Sequence, residues 1–207
     1  MGKALQGRRT FEPIALLPKA ERLLSARDSK LARVIALQES RWPITASEHP
    51  IWGLMRIVMA QQISTEVACQ IAQRVKSAYP GLTSPSAELV PDVTTMHKLG
   101  ISRRRAECCV DIIRKSSDIL AAVARGHSWE MVLRDIKGIG PWTISVFRIM
   151  VLRDPDVLPL GDVGLQRAVA QIYGESADLE QTSENWRPFR SVACWHLWRT
   201  LGNQQLG

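Results

Sequence analysis

Apolar residues along the chain recur every three or four positions, and strict apolar–polar alternation is nearly missing. That periodicity predicts an all-α fold of around ten helices with no sheet. Residues 1–18 are basic, hold Pro13 and Pro18, and read as a loose arm. Residues 19–40 read as one or two helices, with Asp28 or Ser29 as a cap. A loop with two prolines runs from Arg41 to Pro50, and a helix follows from Ile51 to Gln61. Ser64 caps the next helix, with Val67, Ile71 and Val75 on one face. Pro80 to Pro91 is mostly turn. A short helix over Asp92–Lys98 is closed by Gly100, and Ser102 caps a longer one toward Arg114 or Ala124. Ser128 caps a short helix that ends in a glycine turn. Trp142 to Leu152 is apolar on almost every side, as a central buried helix would be. The last two helices run from Asp162 to a stop at Gly174 and from about Asn185 to Leu201. No internal repeat or low-complexity tract interrupts the pattern.

Charge narrows the partners. The chain has 207 residues, a formal net charge of +7 and a pI near 9.6, which suits a polyanion. Basic charge also occurs on proteins that bind no nucleic acid, so this is a hint only. No run of 18 apolar residues is present and the N-terminus lacks an apolar signal core. A soluble intracellular protein is the expectation. Cys69, Cys108, Cys109 and Cys194 form no CxxC pair and no His/Cys metal pattern, so they read as reduced, partly buried thiols.

Candidate chemistry concentrates in Lys137-Gly138-Ile139-Gly140-Pro141-Trp142-Thr143 and in Asp162. Gly138 and Gly140 let a backbone approach another chain closely. Pro141 suits a first helical position, where its missing N–H is no loss. The free N–H groups of such a helix start, beside Lys137, would hold a DNA phosphate. By itself a Gly-x-Gly turn is more often an ordinary connection between helices. Asp162 stands at an N-cap, where aspartate is usually only a cap. Capping and catalysis are compatible, since backbone N–H groups favour the ionised carboxylate.

Taken in order, four stretches carry a resemblance: Ile57–Ser64, Leu99–Glu107, Leu133–Thr143 with Leu158–Asp162, and Arg187–Ser191 with His196–Trp198. Over residues 48–202 the chain resembles the helix-hairpin-helix DNA glycosylase superfamily, in its alkylpurine branch, the 3-methyladenine DNA glycosylase II family. The resemblance implies two helical lobes around a DNA-binding cleft. A central lobe would span about 41–155. The N-terminal helices and residues 156–207 would form the second, within one helical domain over 19–207. It implies hydrolysis of the N-glycosidic bond of alkylated purines, of the 3-methyladenine and 7-methylguanine type, in base excision repair. Asp162 would be the catalytic carboxylate that stabilises the sugar cation. Trp142 and Trp198 would line the base pocket, where an indole face attracts a cationic purine by ~1–2 kcal/mol. Gln62 would be the wedge that fills the gap left by the flipped base. Lys137, Gly138, Ile139, Gly140 and Thr143 would bind phosphate.

The resemblance carries further expectations. Lyase branches of the superfamily hold a nucleophilic lysine where this chain has Trp142, so no lyase activity is implied. The four-cysteine iron–sulfur signature of a related branch is absent from the sequence, and no cofactor or catalytic metal is implied. A monovalent cation on the carbonyls of Ile136 and Ile139 would assist the hairpin. The extra N-terminal α/β domain of some members is not expected in a chain of this length. Double-stranded DNA with damaged bases is the implied partner, the protein acting as a monomer. In a bacterium the location would be cytoplasmic and nucleoid-associated. Pocket tyrosines of a relative read here as Val146 and Arg199. Asp154 and Asp156, the other acids near the motif, read as solvated. Arg103, Arg104 and Arg105 read as a solvated face or as phosphate contacts. Two alternatives stay open: a glycosylase for a deaminated or oxidised base, and a helix-hairpin-helix DNA-binding protein without catalysis.

Overall fold

The computed structural model describes residues 13–38, 49–83, 90–126 and 129–201, and among them the fold is all-helical. Helices α1 (Pro13–Arg27) and α2 (Ser29–Ala36) meet at Asp28, and α3 (Pro50–Ala60) leads to α4 (Thr65–Ala78). A 3₁₀ turn at Pro80–Thr83 precedes α5 (Val93–Lys98), α6 (Arg103–Arg114) and α7 (Ser116–Arg125). Helices α8 (Trp129–Arg134), α9 (Pro141–Met150) and α10 (Val163–Tyr173) follow. Then come α11 (Leu179–Ser183), a 3₁₀ turn at Glu184–Trp186 and α12 (Arg190–Thr200). Among the described residues no helix is long and apolar enough to cross a membrane.

Helix starts follow local rules. Asp28, Ser64, Asp92 and Asp162 each accept a hydrogen bond from a backbone N–H two or three residues on. Helix α7 stops at Gly126 in the left-handed region, at φ 72°. Several expectations need correction. Helix α1 begins by Pro13, so residues 13–18 are helical rather than a loose arm, and residues 1–12 lie outside the described part. Pro18 sits inside α1 because Leu17, Ala20 and Leu24 bury one face of that helix in the core. The helix after Ser102 ends at Arg114, the shorter of the two expected bounds, and a separate helix follows from Ser116. Ser102 does not cap: its hydroxyl accepts instead from Arg105 Nε at 2.9 Å. The last helix starts at Arg190, because Pro188 keeps Arg187 out of the helical region at ψ 141°. Val67 is 43% exposed, and Ala68 joins Ile71 and Val75 inside instead. The cap at Ser128 and most of the Arg41–Pro50 loop lie outside the described residues.

Packing sorts the helices into two groups. Helix α3 packs on α4, α6, α7 and α9, while α5 packs on α6 and α8 on α7. Eight of its residues, from Ile51 to Met59, are buried. Gly53 permits the close approach, since a Cβ there would lie 2.7 Å from Val151 Cγ2. The second group is α1, α2, α10, α11 and α12. Helix α12 is buried on all sides from Ser191 to Trp198, so its polar groups need partners. Ser191 Oγ accepts from Val157 N, and the His196 ring nitrogens lie 2.9 and 3.0 Å from Gln38 Oε1 and Glu21 Oε1. Burial lowers the His196 pKa against the opposing pull of Glu21.

The second group closes on Asp28, which is 9% exposed. Its Oδ1 accepts from Lys30 N and Leu31 N, and its Oδ2 from Tyr173 OH at 2.6 Å and Trp186 Nε1 at 2.9 Å. Burial alone would raise the Asp28 pKa, but these hydrogen bonds outweigh it and hold the carboxyl below its ordinary range. A depressed folded value adds stability above the unfolded pKa of about 3.9, lost as pH falls through the folded value. Asp28→Asn can still cap but turns an amide donor toward the Trp186 indole N–H. It should cost about 2 kcal/mol at pH 7. Urea unfolding followed by tryptophan fluorescence should show the gap to wild type narrowing below about pH 4.

Candidate active site

Asp162 is set by the turn that precedes it and by α10 behind it. The chain leaves α9 through Asp154 and Asp156, which are half-buried and paired with arginines rather than simply solvated. Arg148 Nη2 donates to Asp154 at 2.6 Å, while Arg190 Nε and Arg187 Nη1 donate to Asp156 at 2.6 and 3.1 Å. These pairs tie the connecting segment to α9 and to the start of α12. Asp162 N then donates to Pro159 O at 2.9 Å, closing the turn. The Asp162 side chain is 3% exposed. Its Oδ1 accepts from Leu165 N at 2.6 Å and Trp198 Nε1 at 3.1 Å, and its Oδ2 from Trp142 Nε1 at 2.6 Å. Three donors from three helices suit a carboxylate, which in its ionised form only accepts.

This geometry changes the reading of both indoles. Trp198 is 0% exposed and does not line the cleft. Its role is to hold Asp162, and the expectation of a second pocket wall there is corrected. Trp142 is half-buried, lines the cleft and also donates to the carboxylate. One ring therefore borders the cleft and gives its N–H to the acid. Val146 and Arg199 do not line the cleft.

The hairpin runs from Asp135 to Gly140 between α8 and α9. Gly138 has φ +102°, and a Cβ there would lie 3.3 Å from both Cβ and Sγ of Cys108. It is required by backbone shape and by packing on α6. Gly140 is extended at φ −108°, is the N-cap of α9 without a side chain, and has open space where a Cβ would be. Pro141 follows at the first helical position, so the N–H groups of Trp142 and Thr143 head the helix. Lys137 is exposed beside them, while Ile139 is buried and can offer only its backbone. Thr143 is 2% exposed, and its hydroxyl accepts from Gln61 Nε2 at 3.0 Å. Its side chain is thus taken, which leaves the backbone N–H for an anion. The Ile136 carbonyl already accepts from Ile139 N at 3.1 Å.

The opposite wall is the α3–α4 junction. Gln61 Nε2 also donates to Gly138 O at 3.3 Å, which links this wall to the hairpin. Gln62 is exposed at φ 59°, a left-handed value that a non-glycine residue adopts at some strain. Arg105 Nη1 donates to the carbonyls of Met59 and Gln61 at 2.8 and 3.1 Å, so it caps α3. Arg103 is exposed and pairs with Glu107 on its own helix, while Arg104 faces the cleft. The cavity between the walls has a volume of about 980 Å³. Its lining comes from 60–64, 138–140 and 161–164 with Glu66, Arg104, Trp142 and Thr143. Asp162, Trp142, Gln62 and the hairpin glycines therefore share one cleft. Glu66 is the residue that sequence reasoning missed.

Residues 55–190 match the family described as HhH-GPD superfamily base excision DNA repair protein. The chain belongs to that superfamily. It is 32% identical over 162 residues to a probable bifunctional transcriptional activator/DNA repair enzyme AlkA of Mycobacterium tuberculosis. That match takes in 71% of this chain and 32% of the relative, so the chain spans about a third of that protein's length. It is 28% identical over 204 residues to DNA-3-methyladenine glycosylase 1 of Schizosaccharomyces pombe, covering 91% of this chain and 90% of that one. The structure of the Schizosaccharomyces pombe 3-methyladenine DNA glycosylase in complex with abasic DNA superimposes with a TM-score of 0.73 at 26% identity. That superposition covers 91% of this chain and 100% of the other.

In this HhH-GPD chain the two hairpin glycines differ in what a side chain would meet. Gly138→Val should destabilise the protein, because it strains a positive φ and meets Cys108. Gly140→Val has a compatible backbone and no neighbour to meet. It should leave the melting temperature within a degree or two and weaken duplex DNA binding about tenfold, alike on all sequences. Affinity should fall steeply with salt for wild type, as phosphate contacts require. Calorimetry and anisotropy titrations from 50 to 200 mM salt check both.

Proposed function

We propose that the protein is a monofunctional DNA glycosylase that hydrolyses the N-glycosidic bond of alkylated purines in base excision repair. The observation that carries this reading is Asp162, buried at 3% exposure yet lining a cleft of about 980 Å³ beside Trp142. The two Schizosaccharomyces pombe comparisons support it by their names. In this reading the hairpin head at Gly140–Thr143 and Lys137 hold a phosphate, and the damaged nucleotide turns out of the stack into the cleft. Gln62, on the rim, fills the vacated space. The sugar comes to Asp162 and the base to the face of Trp142.

As the glycosidic bond breaks, its electron pair leaves with the base and positive charge grows on the sugar. The Asp162 carboxylate stabilises that charge and orients the water that adds to the anomeric carbon. Leu165 N–H, Trp142 and Trp198 fix it beforehand, so no reorganisation is needed during reaction. A cationic N3- or N7-alkylpurine departs neutral, so no general acid is required. A neutral base must be protonated or leave as an anion. The indole at position 142 offers no amine for a Schiff base, so the product is an intact strand with an abasic site. The protein acts alone as a monomer on duplex DNA, on the nucleoid in a bacterial cell.

Asp162→Asn should keep the cap and the binding of lesion DNA but lose excision of 7-methylguanine by at least about a hundredfold. Single-turnover assays measure it; a near wild-type rate removes Asp162 from the chemistry. On a lesion panel, 3-methyladenine and 7-methylguanine should be excised faster than hypoxanthine, uracil or 8-oxoguanine. Preference for a neutral lesion would favour a deaminated- or oxidised-base enzyme, and no excision at all a binding module. Trp142→Phe keeps a ring face and removes the N–H to Asp162. It should slow every base about tenfold and leave the preference for cationic bases in place.

A further inference from the structure

One acid in the cleft has no part in the reaction so far. Glu66 lies in the first turn of α4, is exposed, and lines the same cavity as Asp162 and Trp142. We propose that Glu66 is a specificity-determining residue, a second carboxylate that selects bases carrying a positive charge. This rests on the glycosylase reading above.

Charge distribution carries the argument. The chain as a whole has a formal net charge of +7, as a protein that meets a polyanion should. The cleft inverts that sign: of its lining residues Glu66 and Asp162 are acids and Arg104 alone is a base. Lys137 is not in that lining and faces a smaller cavity with Arg104 and Arg114. The other charged residues beside the cleft are paired locally, Arg105 with α3 carbonyls and Arg103 with Glu107. Among the described residues Glu66 makes no hydrogen bond or ion pair, so its charge is not spent on the fold.

A bare carboxylate in a cleft that admits DNA repels phosphates and weakens duplex binding. What it attracts is a cation or an amino donor. An alkylated purine supplies both, a charge spread over the ring and an exocyclic amine. With the sugar at Asp162 and one base face on Trp142, the α3–α4 wall that carries Glu66 is left to meet the base. At a separation of about 6–8 Å in a half-hydrated cleft, one charge pair changes selectivity roughly fivefold. Glu66 takes no part in bond breaking, and the cationic base leaves neutral.

The test is a binding comparison on the full chain with duplexes that cannot react. One carries 2′-fluoro-7-methylguanine, whose electron-poor sugar resists cleavage, and its match carries 2′-fluoroguanine. Wild type should prefer the cationic base, and Glu66→Gln and Glu66→Ala should reduce that ratio roughly fivefold. Affinity for undamaged duplex should stay equal or rise, since a repulsive charge is gone. An unchanged ratio in both variants overturns the proposal, as does an equal loss on both duplexes, which would make Glu66 a general DNA contact. Excision by the same wild-type preparation on 7-methylguanine DNA tests the glycosylase reading separately. Activity with an unchanged ratio sinks Glu66 alone, and inactivity with a charge-dependent ratio sinks the reading while Glu66 keeps its role in recognition.

Discussion

A single carboxylate holds three helices in register. Asp162 heads α10, takes an indole N–H from α9 through Trp142, and takes another from α12 through Trp198. Each contact is local to its donor, yet together they fix where the two helical groups meet. A buried acid without such partners would be costly. With them it becomes the anchor around which the cleft walls are placed, and the same oxygens face the sugar in the proposed reaction.

The two walls are also tied to each other. Gln61 reaches from the end of α3 to the hairpin carbonyl of Gly138 and to the Thr143 hydroxyl. Arg105 reaches from α6 to cap the carbonyls at the same end of α3. The segment that carries Gln62 is thereby held from both sides, which supports its left-handed backbone. The proposed grip, wedge and acid all stand at helix ends rather than on a long loop.

What was legible in the sequence was local. Caps at Asp28, Ser64, Asp92 and Asp162 are set by residues two or three positions away, so a short stretch of sequence contains the whole cause. The hairpin with its two glycines is local as well. Trp198 lies 36 positions from Asp162 and Arg105 lies 44 from Gln61, so no spacing rule reveals those bonds. Asp154 and Asp156 looked solvated because their arginine partners on α9 and near α12 are brought in by folding. Nothing in the local sequence marks Glu66, since its place on the cleft wall depends on how α3 and α4 meet. Helix α12 starts later than the expected Asn185 because residues 184–186 form a 3₁₀ turn and Pro188 keeps Arg187 extended.

Helix α10 is pinned at both ends. Asp162 caps its start, and at its end, about 16 Å away, Tyr173 donates its hydroxyl to Asp28. A slide along the axis of even half an ångström would disturb two buried carboxylate clusters together. Assembly of the second helical group and alignment of the reactive acid are therefore one event. On the proposed reading a partly folded chain has no positioned acid to bring against a sugar, so hydrolytic competence would appear only once the fold is complete. For a protein that would cut bases from a genome, that coupling is a safeguard written into the length of one helix.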